Sequence, residues 1–116
     1  MTTKEIGNMG EQAACEYLED KGYEILERNF RVKLGEIDII AEDSGCIVFV
    51  EVKTRQNNLY GEPSEYVDCR KQKKIKKAAV CYTDTVNNDI RFDVIEVFYD
   101  KNSMLVKAIN HIENAF

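Results

Sequence analysis

At 116 residues the chain is sized for one domain, long enough to bury roughly two-thirds of its unfolded surface around a single core. Four cysteines at positions 15, 46, 69 and 81, with no C-x-x-C pair and a single histidine, argue against a zinc framework and read as free thiols of a reducing cytosol. The net charge of −5 speaks against a nucleic-acid partner as an average, but residues 70–77, RKQKKIKK, hold six cations and no anion, leaving −11 on the other 108 residues and a steep field gradient between them. No apolar run at the amino terminus resembles a signal sequence and no window approaches the ~20 apolar residues of a membrane span, so a cytoplasmic location is expected. With no repeat, no low-complexity tract and one proline, nothing marks a linker or a second domain.

The first element is a helix from about Asn8 to Lys21. Asn8 is placed to cap it, Glu11 follows at capping-box spacing, and Gly22 supplies a left-handed stop. Ala14, Tyr17, Leu18 and the stem of Lys21 make the apolar stripe, and Glu11 lies on its Ala14 and Leu18 side, an unusual place for a charge. Residues 23–30 alternate Tyr23 and Ile25 against Glu24 and Leu26 and read as a strand. Arg28, Asn29 and Arg31 then bring basic and amide side chains toward Gly35, as phosphate contacts or as ordinary loop polarity.

The next stretch, GEIDIIAEDSGCIVFVEVKTR from Gly35 to Arg55, carries the chemistry. Two β-branched and apolar runs, 37–41 and 46–52, flank Glu42-Asp43-Ser44-Gly45 and read as a hairpin. Alternation puts Glu36, Asp38 and Ile40 on one face and Ile37, Ile39 and Ala41 on the other; Ile47, Phe49, Glu51 and Lys53 share a face of the second strand. A two-residue Ser44-Gly45 loop sets Asp38 opposite Glu51 and Glu36 opposite Lys53. Two carboxylates whose Cβ atoms lie roughly 4.5 to 5.5 Å apart repel each other, and a divalent metal such as Mg²⁺ offsets that repulsion. Lys53 sets an ammonium where it can assist an attacking water. The competing reading is a solvated hairpin face with Lys53 pairing Glu36 or Glu51, and the apolar residues on both faces argue against it.

After Thr54-Arg55, residues 56–61 form a polar loop with Tyr60. Pro63-Ser64 opens a helix on the pattern Val67, Lys71, Ile75, Ala78, Ala79 and Tyr82, with the remaining cations on its other faces. That basic run reads as a solvated helix face or, beside a metal-type carboxylate pair, as a clamp for a DNA backbone. The candidate contacts are Arg70, Lys71, Lys73, Lys74 and Lys77, with Arg31 and Arg55 flanking the hairpin. Asn87-Asn88-Asp89 is a turn, and residues 90–99 form a long strand with Phe92, Val94, Glu96 and Phe98 on one face and Asp93, Ile95, Val97 and Tyr99 on the other. Residues 104–109 give a short last strand, and His111 reads as a surface histidine without a catalytic part. The element order is αβββαββ, an α/β (α+β) domain whose mixed β-sheet is flanked by helices.

Asp38, followed thirteen residues later by Glu51-Val52-Lys53, resembles the core of the PD-(D/E)XK nuclease superfamily. The longer string GEIDII…VFVEVKTR resembles the YraN family of predicted bacterial endonucleases, itself similar to archaeal Holliday junction resolvases. The likeness extends over GNMGEQAA at 7–14, Gly22-Tyr23, Arg28-Asn29-Phe30-Arg31, Arg91-Phe92-Asp93-Val94 and Asn114-Ala115-Phe116, with Ile37 standing where the superfamily has Pro. It implies a restriction-endonuclease-like core in which Asp38, Glu51 and the Val52 carbonyl hold Mg²⁺, with Mn²⁺ as substitute. It also implies that Glu11 reaches the metal from the first helix, that Lys53 orients water, and that Glu36 and Gln72 play supporting parts. The implied activity is endonucleolytic hydrolysis of DNA phosphodiesters, on structured or branched DNA such as Holliday junctions, in repair or recombination, with a homodimer expected by analogy. The alternatives are a noncatalytic DNA-binding module on the same scaffold, which binds DNA without needing metal, and a protein-interaction domain, which binds no DNA.

Overall fold

The computed structural model describes residues 1–60, 67–82 and 89–116. In chain order the elements are α1 (Thr3–Asp20), β1 (Glu24–Val32), β2 (Gly35–Asp43), β3 (Cys46–Gln56), a 3₁₀ turn (Asn57–Leu59), α2 (Cys69–Tyr82), β4 (Asp89–Tyr99) and β5 (Val106–Ile112), the αβββαββ order expected. The five strands form one sheet in sequence order, antiparallel throughout except for the parallel β3 and β4 pair. This mixed sheet, with one helix on each face, is consistent with a restriction-endonuclease-like core. The expected helix start at Pro63-Ser64 and the turn residues Asn87-Asn88 lie outside the described residues.

Helix α1 begins five residues earlier than expected. Thr2, not Asn8, caps it: the Glu5 N–H donates to Thr2 Oγ1 at 3.2 Å and the Thr2 N–H donates to Glu5 Oε1 at 3.0 Å, a reciprocal capping box. Gly22, at φ 92°, ends the helix as read from the sequence. The buried stripe Gly10, Ala14, Cys15 and Leu18 covers Ile39, Ala41, Val48, Val50, Ile95 and Val97. On the opposite face Ile75, Ala78 and Ala79 of α2 cover Ile37, Ile40, Phe49, Phe92 and Val94, with Phe49 stacked on Phe92 at 5.4 Å. Both helices are seated at backbone distance. A Cβ on Gly10 would collide with Thr54 Oγ1, and one on Gly35 would come within 2.6 Å of the Lys74 carbonyl oxygen.

The hairpin turn has positive φ at both Ser44 (50°) and Gly45 (86°), the geometry that matches strand twist in two-residue loops. Its register runs as expected from Asp43↔Cys46 to Ile39↔Val50 and stops there. Beyond that point β2 keeps its partner β1 down to Gly35, while β3 keeps its parallel partner β4 out to Gln56. The expected pairings of Asp38 with Glu51 and of Glu36 with Lys53 are therefore not ladder pairs. The expected alternation also slips. Ile37 joins Ile40 on the α2 side, whereas Ile39 and Ala41 face α1, so β2 changes faces at Asp38. Opposite Asp38 in the β1 register stands Asn29, with a left-handed φ of 51°, a conformation asparagine tolerates better than most residues. The last strand reaches Ile112, three residues past the end read from its sequence.

Candidate active site at the β2–β3 fork

The separation of β2 from β3 opens a fork, and Asp38 lies in it. Its Oδ2 accepts the Val52 N–H at 2.8 Å, replacing the ladder bond that the diverging strand no longer supplies. In an extended strand a residue's N–H and C=O point to the same edge, so the Val52 carbonyl is also directed at the fork. Glu51, 7% exposed, and Lys53 lie on the α2 side of β3 and line a cleft of ≈ 660 Å³ together with Val52, Thr54, Arg55 and Lys71. Glu11 approaches from the α1 side, near enough for its carboxyl and that of Asp38 to act on each other. The bare Gly10 surface against Thr54 allows that approach.

The fork is an acidic centre that the fold leaves incompletely neutralised. Burial pushes the Asp38 carboxyl above the usual range, with the Val52 N–H and Lys71 pulling the other way. Burial, and then the charge of Asp38, push Glu51 up to about 7. Glu11 rises to about 7 through the same two causes. A divalent cation fits this donor set: carboxylates that resist ionising beside one another, with a carbonyl on the same edge. Among the described residues no group of three His, Cys, Asp or Glu side chains is placed to hold a metal ion by itself; Mg²⁺ takes one or two carboxylates and fills its shell with water and phosphate.

The other expected residues divide. Arg70, Lys71, Lys73, Lys74 and Lys77 are all exposed on α2. Lys71 reaches into the cleft, its Nζ 2.5 Å from Glu51 Oε1. Arg31 is exposed and pairs with Glu36 at 3.1 Å, so Glu36 meets Arg31 rather than Lys53. Arg55 turns inward while still lining the cleft: its Nη1 donates to the buried Glu96 at 2.7 Å and its guanidinium lies over Phe98. Gln72 donates to the Val67 carbonyl at 2.7 Å at the head of α2.

His111 is a correction. It is not on the surface; its side chain is 4% exposed, with Nε2 2.6 Å from Asp93 Oδ2 and Nδ1 3.2 Å from the Tyr17 hydroxyl. Asp93, fully buried, also takes the Arg91 guanidinium through both carboxylate oxygens, at 2.8 and 3.0 Å, and the Asn114 N–H at 3.0 Å. Arg91 donates onward to the Tyr23 hydroxyl at 2.8 Å. The clue in the sequence is Arg91-x-Asp93, two charges of opposite sign on one strand face. Gly10 and Asn29 were legible as residues but not as the devices that seat α1 and turn Asp38.

The family described as "Uncharacterised protein family UPF0102" matches residues 10–97. A UPF0102 protein of Caldanaerobacter subterraneus is 49% identical over 116 residues, covering 97% of this chain and 95% of its own. One from Clostridioides difficile is 50% identical over 119 residues, the whole of both chains, and one from Clostridium botulinum (strain Loch Maree) is 52% identical over 118 residues, 97% of this chain and 94% of its own.

Proposed function

We propose that this chain, which belongs to the UPF0102 (YraN) family, is a metal-dependent endonuclease that hydrolyses DNA phosphodiesters, with structured or branched DNA such as Holliday junctions as its substrate. The observation that carries the reading is the fork itself: Asp38, Glu51, the Val52 carbonyl edge and Lys53 at one end of the β2–β3 hairpin, with Glu11 closing from α1. Asp38, Glu51 and the Val52 carbonyl would hold Mg²⁺, or Mn²⁺ in its place, with Glu11 adding a direct or water-mediated contact. Such an ion supplies Lewis-acid stabilisation of charge on a phosphate and eases deprotonation of an attacking water.

The chain's own groups do the rest. Lys53, on the same face as Glu51, presents an ammonium to the cleft, where it orients the water and stabilises developing negative charge. Substrate backbone is drawn in from the flank by Arg70, Lys73, Lys74 and Lys77 on the exposed side of α2.

The test is incubation of the purified protein with linear, flapped and four-way DNA, with and without Mg²⁺ or Mn²⁺. Metal-dependent nicking that favours the branched substrate and is lost in Lys53→Ala is the expected result. Salt-sensitive binding without product under every metal condition would instead make the chain a DNA-binding module.

A further inference from the structure

The fork gathers three carboxyls, yet one cation of the protein already lies against it. Lys71 projects from the second residue past the start of α2, and its ammonium contacts the buried Glu51 while also feeling Asp38 and Glu36. The base of that side chain is held firmly. The Lys71 N–H donates to Asp68 Oδ1 at 3.0 Å, the Gln72 N–H to the Asp68 carbonyl at 2.9 Å and the Gln72 amide to Val67. One turn further, the close approach of Gly35 to the Lys74 carbonyl fixes α2 against β2. The ammonium, by contrast, sits on four flexible methylenes and is half exposed. Lys71 also borders a second depression with Arg70, Lys74 and Glu36, outside the cleft, so an outward position is open to it.

A single positive charge on one side of Glu51 and a divalent ion on the same carboxylate compete for the same oxygens. We infer that Lys71 is an internal counter-cation: in the metal-free protein its ammonium stands in for the divalent ion at Glu51, and the ion must displace it to bind. This rests on the metal-site reading above and goes beyond it, since it assigns Lys71 to regulation of ion loading and not to a simple phosphate contact. Displacement moves the ammonium toward Arg70 and Lys74, so a loaded fork presents one more cation to a nucleic-acid backbone than an empty one.

The test is isothermal titration of Mn²⁺ into wild-type protein, Lys71→Met and Glu51→Gln without DNA, at pH 8. Lys71→Met is expected to bind about tenfold tighter than wild type, the scale of one charge-assisted pair removed from competition, and Glu51→Gln more weakly than either. Since Lys71→Met leaves a buried carboxylate without its partner, thermal melts with and without Mn²⁺ serve as the second readout. The ion should raise the melting temperature of Lys71→Met by more than it raises that of wild type. Equal or weaker binding by Lys71→Met, with Glu51→Gln still impaired, overturns the counter-cation role and leaves the metal site standing. Binding that is absent throughout, or indifferent to Glu51→Gln, overturns both.

Discussion

Two buried acidic centres on one sheet have been treated in opposite ways. At Asp93 the fold supplies everything a carboxylate needs: a guanidinium on both oxygens, an imidazole and a backbone N–H. Burial alone would raise its pKa, but the His111 and Arg91 hydrogen bonds outweigh burial and hold the carboxyl below its usual range. At the fork, burial and mutual repulsion win, and Glu11 and Glu51 are held up to about 7. A saturated carboxylate ties elements together; at the fork the Val52 N–H on Asp38 and Lys71 on Glu51 do not outweigh burial and mutual repulsion.

The comparison breaks first at Asp38. Asp38→Ala should lower metal-dependent cleavage by about three orders of magnitude, as loss of a metal or charge-stabilising group does, while costing the metal-free protein less than Asp93→Asn does, because loss of the acceptor for the Val52 N–H is offset by removal of a repelling charge. Cleavage by Asp38→Ala at the wild-type rate would remove the fork from the chemistry. The reverse pattern is expected at the other centre. Asp93→Asn leaves Arg91 and His111 without their anion in a buried place and should cost about 3 to 5 kcal/mol in urea unfolding, with little change in cleavage by whatever fraction remains folded. A destabilisation at Asp38→Ala as large as at Asp93→Asn would erase the distinction.

Acidity sharpens it further. Glu11 and Glu51 titrate higher in the folded than in the unfolded chain, so their contribution to stability is full below the unfolded value of 4.5 and is lost as pH rises through about 7. For Glu51 the loss is on the order of 3 kcal/mol. Asp93, held low, contributes above its unfolded value of 3.8 and loses that contribution as pH falls. Metal-free protein should therefore melt higher near pH 5 than near pH 8, and Mg²⁺ should close the gap from the pH 8 side. The smallest effect belongs to the turn of β2: Asn29→Gly, which accepts φ 51° freely, should be neutral to within about 1 kcal/mol, whereas Asn29→Val should cost more than 1 kcal/mol and weaken Mn²⁺ binding.

Local signals in the sequence carried far. Ser44-Gly45 set the hairpin register from Asp43↔Cys46 to Ile39↔Val50, and Glu51 and Lys53 share a face as alternation requires, but Asp38 lies past the point where both register and alternation depart from expectation. The fork itself was not legible, because it arises where β2 and β3 follow different partners, a choice made by β1 and β4. The same limit applies to His111, which meets Tyr17 from 94 residues away, and to Arg55, whose inward turn depends on Glu96 across the parallel strand. The start of α1 was missed for a smaller reason: Thr2 and Glu5 form a capping box ahead of an apolar stripe whose first turns are glycine-rich.

The parallel joint between β3 and β4 also sets an order in time. The hairpin closes over two residues, but the β3–β4 pair brings Cys46 alongside Asp89 and has to wait for the α2 crossover. Loop closure of that span makes docking of β4 the slow step of folding. The nascent hairpin thus presents Asp38 and Glu51 before Arg91, Asp93 and Glu96 have found their partners, and stopped-flow refolding should show β4 mutations slowing the main phase more than changes at Ser44 do.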